Sequence, residues 1–211
     1  MKILYPPHPK IRILKNKLDA YESSGKWTAQ RKFNGTNVVV NISEKGEVGI
    51  LTRHGTAPKL FSLSKSHVDQ ILSLNLDKGK EYWLNGELLD HKTKNPEYKK
   101  KIVFFDVLWA GTHLVRKMNQ VERLGLLRDI CDSPNNTENE IAAKVTDDIW
   151  MAESWESDFK FHFEEFIDRD EIEGLVLRKK ASFIDNFGFK AHDANWIVKC
   201  RKPHSGGNYE F

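Results

Sequence analysis

The chain has 211 residues, with 33 Lys and Arg against 30 Asp and Glu, 39% hydrophobic residues and 11% aromatics. So many aromatics exclude a disordered chain, no apolar run approaches the roughly 18 residues of a membrane span, and the opening Met1–Pro7 is too short an apolar stretch for a signal peptide. Two widely separated cysteines, Cys131 and Cys200, exclude a Cys-x-x-Cys redox motif and a multi-cysteine zinc site, and they suit a reducing cytoplasm. The net charge of +3 hides an asymmetry: residues 1–60 carry 11 basic against 4 acidic side chains, and residues 132–170 carry 3 against 12. A basic N-terminal quarter either faces phosphates, of a nucleotide or a nucleic acid, or is ordinary solvated surface.

Pro6-Pro7-His8-Pro9 predicts an extended lead-in, because proline and the residue before it avoid helix. Residues 14–24 form a short helix stopped by Ser23-Ser24-Gly25. Trp27 to Ile42 alternates and is β-branched, apart from Asn34-Gly35, and reads as two strands joined by a tight turn. Val48–Thr52 is a third strand, ending at Arg53-His54-Gly55. Leu60, Leu63, His67, Ile71 and Leu74 recur at helical spacing over 60–74. Strand patterns follow at 81–89 and 101–109, then a helix over 119–131 and a polar turn at Ser133-Pro134-Asn135-Asn136. Residues 158–168 predict an acidic helix with Phe159, Phe163 and Phe166 on one side. The last strands are 173–179 and 195–201. Strands come first and then mix with helices, without a regular βαβ alternation. The expected fold is therefore α+β, with antiparallel sheets in a single compact domain spanning 1–211.

Lys32-Phe33-Asn34-Gly35 sets a lysine beside a glycine turn, where an amine could meet a bound phosphate. Alone, that pattern reads better as a hairpin turn with a solvated lysine. Five further segments follow it in order: Thr52-Arg53-His54-Gly55, Leu84-Asn85-Gly86-Glu87-Leu88, Phe104-Phe105-Asp106-Val107-Leu108, Glu173-Gly174-Leu175-Val176-Leu177-Arg178 and Trp196-Ile197-Val198-Lys199-Cys200-Arg201-Lys202. In this order the series resembles motifs I, Ia, III, IIIa, IV and V of the covalent nucleotidyltransferases, the superfamily of ATP-dependent DNA ligases, RNA ligases and mRNA capping enzymes. The resemblance runs from about residue 27 to about residue 202.

The resemblance implies two antiparallel sheets flanked by helices, with a nucleotide cleft between them. It implies that Lys32 attacks the α-phosphate of ATP to give a lysyl–AMP and pyrophosphate. A free lysine, with a pKa of about 10.4, must first lose its proton. Glu87 and Glu173 match the acidic positions, where carboxylates suit Mg²⁺ or Mn²⁺ and ribose hydroxyls. Phe105 matches the aromatic that stacks on adenine, leaving Phe104 to the core. Gln30 matches the residue that recognises the adenine amino group, and Arg53 the cation that contacts ribose or a 5′-phosphate. Lys199 and Arg201 resemble the pair that holds the α-phosphate, with Lys202 as a further candidate.

The sequence also departs from its relatives. Most DNA ligases have Asp and Arg where Asn34 and Asn37 stand. Gly-Thr-Asn after the lysine is closer to RNA ligases that repair nicked duplexes, whereas Phe-Asp-Val-Leu and Glu-Gly-Leu-Val-Leu-Arg look more like DNA ligases. The expected partner is thus a nicked duplex of DNA, RNA or mixed strands, and Asn37 joins the nucleotide-binding candidates. Only nine residues follow Lys202, so no OB-fold domain is expected. A separate clamp could supply its role, or the basic residues Lys10, Arg12, Lys15 and Lys17 could. The expectation is a minimal, monomeric, cytoplasmic ATP-dependent polynucleotide ligase, of a compactness that suits a phage or virus. The alternatives are a capping-type guanylyltransferase and a nucleotide- or nucleic-acid-binding module without turnover.

Overall fold

The computed structural model describes residues 4–90, 92–111, 115, 117–132, 140–184 and 193–203. In chain order its strands are β1 (His8–Ile13), β2 (Trp27–Phe33), β3 (Thr36–Ile42), β4 (Val48–Thr52), β5 (Tyr82–Leu88), β6 (Ile102–Ala110), β7 (Ala143–Lys144), β8 (Ile149–Met151), β9 (Ile172–Lys179) and β10 (Asp193–Arg201). The helices are α1 (Leu18–Ser23), α2 (Lys65–Leu72), α3 (Gln120–Cys131) and α4 (Phe159–Glu164). One sheet has four strands in the order β1-β10-β9-β2, the other six in the order β4-β3-β5-β6-β8-β7. Among the described residues no helix is long and apolar enough to cross a membrane.

The α+β class stands, but the sheets are mixed rather than antiparallel. β1 runs parallel to β10, and β6 parallel to β8. Each parallel pair joins strands separated by long stretches of chain, where no tight hairpin dictates direction. The second correction concerns Trp27 to Ile42. Both strands form, yet they do not pair with each other: β2 pairs with β9 in one sheet, and β3 with β4 and β5 in the other. Asn34-Gly35 is the step from sheet to sheet. Only glycine fits there, because a Cβ on Gly35 would stand 2.3 Å from the Leu88 carbonyl oxygen and 2.9 Å from Glu87 Cγ.

α1, α2 and α4 are shorter than their patterns suggest, whereas α3 matches the helix expected over 119–131. α2 begins only after Ser64, whose hydroxyl accepts from the His67 N–H, so Leu60 lies outside it and is 78% exposed. α3 opens on a capping box between Asn119 and Glu122, which satisfies backbone donors at its first turn. α4 ends at Glu164, and Phe166 packs from the turn that follows. β1, β7 and β8 were not expected as strands, and the predicted turn at 133–136 lies outside the described residues.

Each sheet buries one face under helices. In the larger, Val38, Val40, Leu84 and Leu88 pack with Ile71 of α2 and Leu127 of α3. In the smaller, Ala29, Leu175, Leu177, Val198 and Cys200 pack with Leu18 of α1 and with Phe159 and Phe163 of α4. Strand alternation sends the intervening residues the other way. Gln30, Lys32, Lys199 and Arg201 from the smaller sheet, with Asn37, Asn85 and Glu87 from the larger, line a cleft of about 780 Å³.

Two of the register irregularities re-aim side chains at the cleft. Gly174 pairs with Lys32 and Ile172 with Phe33, leaving Glu173 without an opposite residue. Asp106 pairs with Asn85 and Phe104 with Gly86, leaving Phe105 without one. A bulged residue is re-aimed relative to its strand, and both of these side chains line the cleft. Gly174 makes the first bulge possible: its φ is +133°, and a Cβ would fall 2.1 Å from the Cys200 carbonyl oxygen. Gly174→Ala is therefore expected to destabilise the protein by about 2–3 kcal/mol. A thermal melt should show this as a fall in Tm of about 5–10 °C.

Candidate active site

Lys32 leaves β2 toward the cleft and places Nζ 2.6 Å from Glu173 Oε2. Arg201 Nε, from β10, lies 3.1 Å from the same oxygen. Burial alone would push the Glu173 carboxyl up, but the Lys32 ammonium, with Arg201 and Lys92, outweighs it and holds the carboxyl below its ordinary value.

Glu87 stands on the opposing sheet, where Oε1 accepts the Gly35 N–H at 3.1 Å. The glycine turn that carries the chain between sheets thus also fixes this carboxylate. Burial pushes Glu87 up to about 7; Lys32 opposes the shift and the neighbouring Glu173 charge adds to it. The carboxyl is packed into the cleft floor, although one edge stays open to the cleft. Two carboxylates in one cleft therefore differ in charge near neutrality, and such divergence marks sites of proton or metal chemistry.

The other end of the cleft is built around Phe105. Its neighbour Phe104 is fully buried in the core, while Phe105 is only partly buried and faces the cleft. Gln30 donates Nε2–H to the Phe105 carbonyl at 3.4 Å and accepts from Arg178 Nη1. The Arg178 guanidinium lies 5.0 Å from the centre of the Phe105 ring. Burial lowers the Arg178 pKa to about 10; Asp106 opposes that shift and Arg123 adds to it. Asp106 in turn accepts from Arg123 Nε at 2.9 Å, both side chains being almost wholly buried. This pair anchors α3 to β6 beside the Phe105 bulge.

Nine of the residues singled out from the sequence line this one cleft: Gln30, Lys32, Asn37, Arg53, Glu87, Phe105, Glu173, Lys199 and Arg201. Asn37 Oδ1 accepts from Asn85 Nδ2 at 3.2 Å. Arg53 sits at the exposed mouth, with its backbone N–H bonded to the Asn37 carbonyl at 3.0 Å. Lys199 donates to the Pro9 carbonyl at 2.8 Å, and burial, followed by Arg201, Arg12, Lys32 and Arg53, lowers its pKa. Of the three motif V candidates, Lys202 points elsewhere, donating to the carbonyls of Ile167 and Arg169 at 2.7 and 2.9 Å.

The basic N-terminal segment is only partly available for phosphates. Lys10 pairs with Asp193 at 3.1 Å, and Lys15 pairs with Glu164.

Sequence reasoning missed four contributors. Arg178 was legible by parity, since it follows the cleft-facing Val176 by two residues. Lys92, whose Nζ donates to the Gly35 carbonyl at 2.8 Å, sits on a loop with no periodic signal. His8 enters the cleft through the parallel docking of β1, and Asp106 through its buried pair with Arg123.

Among the described residues no group of three or more His, Cys, Asp and Glu is placed to hold a metal. The donor set that does converge is two carboxylates, Glu87 and Glu173. Hard oxygen donors in that number fit Mg²⁺, which keeps waters and takes its remaining ligands from substrate phosphates.

A pH prediction follows from Glu87. Its folded value lies above its ordinary value of 4.5, so its contribution to stability is present at low pH and is lost as pH rises to about 7. Relative to the wild type, the E87Q variant should gain stability between those limits, by on the order of 3 kcal/mol. Denaturant melts at pH 4 and pH 8 check this.

A family profile described as RNA ligase matches residues 25–197. No curated protein matches the chain significantly in sequence. Among solved structures, a mycobacterial DNA ligase D complexed with ATP superposes with a TM-score of 0.59 at 16% identity, covering 94% of this chain and 60% of that one. The ligase domain of LigD from M. tuberculosis gives the same score and identity, covering 94% and 59%. The ATP-dependent DNA ligase of bacteriophage T7, in complex with ATP, gives 0.55 at 10% identity, covering 94% and 68%. This chain thus spans about 60% of the length of the mycobacterial structures, and at these identities the likeness establishes the fold. With the profile running through five of its six motifs and into the last, the chain belongs to the RNA ligase family.

Proposed function

We propose that this protein is an ATP-dependent polynucleotide ligase that seals a 5′-phosphate to a 3′-hydroxyl through an AMP adduct on Lys32. The observation that carries the proposal is the convergence on one cleft of a lysine, two carboxylates of unequal charge, a row of cations and an aromatic face. That two of the superposed ligases were solved with ATP supports ATP as the nucleotide.

The residues divide the work by position. Phe105 offers its ring to the base, and Gln30 an amide whose orientation Arg178 fixes. Lys199 and Arg201 stand beside Lys32 on the phosphate side. In the proposed first step Lys32 Nζ attacks the α-phosphorus, the bond to the β-phosphate oxygen breaks and pyrophosphate leaves. The amine must shed a proton to attack, and Glu173 is a carboxylate 2.6 Å away. Glu87 and Glu173 would hold Mg²⁺ or Mn²⁺, and a bound ion would supply positive charge against the phosphates. A 5′-phosphate oxygen then attacks the AMP phosphorus and breaks the P–N bond, which returns Lys32. The 3′-hydroxyl finally attacks the activated phosphate and expels AMP.

The test is sealing of four nicked duplexes, with DNA or RNA on each side of the break, in Mg²⁺ and labelled ATP or GTP. Sealing of at least one duplex with ATP is expected. In the K32R variant, which keeps the charge but not a titratable amine, it should fall by about 10³-fold or more. Covalent label from GTP alone would mean a capping-type guanylyltransferase. Nucleotide or duplex binding without label or sealing would mean a binding module.

A further inference from the structure

The parallel docking of β1 on β10 brings Arg12 opposite Lys199 in register, so the two side chains project from the same face of the sheet. Arg12 is exposed and adds to the positive field on Lys199, together with Arg201, Lys32 and Arg53. Against these five cations the cleft sets Glu173, already shared by Lys32 and Arg201, and Glu87, which burial pushes up to about 7. Lys10, two residues before Arg12, is neutralised by Asp193, whereas among the described residues no acid pairs with Arg12. Cations that outnumber their counter-ions repel one another, and an anion relieves that repulsion.

Position decides which anion. His8 and Pro9 line the cleft, but Arg12 does not. It lies outside the enclosed volume, at the rim beyond Lys199. A mononucleotide is held inside the cleft, whereas a polynucleotide must cross the rim to bring its end to Lys32. We propose that Arg12 is a rim subsite for a backbone phosphate of the nucleic-acid strand that enters the cleft, an inference that rests on the ligase function proposed above.

The test uses the full chain with Arg12→Glu, Arg12→Ala and Arg12→Lys. It measures two quantities separately: the rate of AMP attachment from Mg-ATP, and the affinity for a nicked duplex between 50 and 200 mM salt. Attachment is expected to stay within about twofold of wild type in all three, since Arg12 lies outside the nucleotide volume. In the Ala and Glu variants nick affinity should fall, and the slope of log affinity against log salt should become shallower by about 0.9, the release expected for one phosphate contact. That slope is about a threefold change in affinity across the salt range. The Lys variant should keep most of the affinity. Unchanged affinity and slope would overturn the subsite. Loss of AMP attachment with nick binding intact would instead assign Arg12 to the triphosphate tail and overturn it too. Failure of the ligase proposal would look different, as wild-type protein that takes up no AMP. Matching thermal melts of the three variants exclude misfolding as the cause.

Discussion

The site hangs on one ion pair. Lys32 on β2 and Glu173 on β9 meet at 2.6 Å because two neighbouring strands of one sheet send these side chains to the same face. Regular alternation would have turned Glu173 toward the core with Leu175 and Leu177. The bulge at Glu173, which only Gly174 can accommodate, turns it back. Arg201, from the strand on the other side of β9, completes a cation–carboxylate–cation arrangement. The pair has two consequences. It keeps Glu173 ionised, and it holds the Lys32 ammonium at a fixed place in the cleft. In the proposed reaction that ammonium must become a free amine, so the pair that positions the nucleophile also has to open.

Glu87 is the counterpart on the other sheet. Among the described residues no cation pairs with it directly, and the Gly35 N–H is its hydrogen-bond donor. Burial therefore dominates, and its carboxyl is pushed to about 7. One residue, Gly35, links these facts: it carries the chain from one sheet to the other, leaves room for Glu87 Cγ, and donates to its carboxylate. Lys92 ties the same turn down through the Gly35 carbonyl. The two sheets are thus joined at the point where the two carboxylates face each other, and that coupling is local chemistry rather than a remote packing effect.

The order of the motifs was legible in the sequence, and so was the face that most site residues would share. Gln30 and Lys32, like Lys199 and Arg201, are two apart on segments read as strands, a spacing that puts each pair on one face. Phe104 and Phe105, as strand neighbours, face opposite ways, and the resemblance decided which of them meets the base. The pairing of the strands was not legible. Asn34-Gly35 looks like a hairpin turn, yet β2 finds its partner in β9, far along the chain, and local turn chemistry carries no record of that. The bulges were hidden for the same reason, because a bulge is a property of two strands in register. β1 was read only as an extended lead-in, so the docking that sets Arg12 beside Lys199 came from the structure. Arg31 shows the limit from the other side. It neighbours the key lysine in a basic stretch, yet it points away from Lys32 and is buried against Glu153, Glu165 and the ring of Phe166. Charge counting alone would have assigned it to phosphate.

What remains decisive is whether Lys32 is the nucleophile that its surroundings describe. The direct measurement is the intact mass of the protein after exposure to Mg-ATP, followed by peptide mapping of any adduct. The expected result is a mass increase of one AMP, carried by the peptide that contains Lys32 and lost on addition of pyrophosphate. An unmodified protein, or AMP on any other residue, would contradict it.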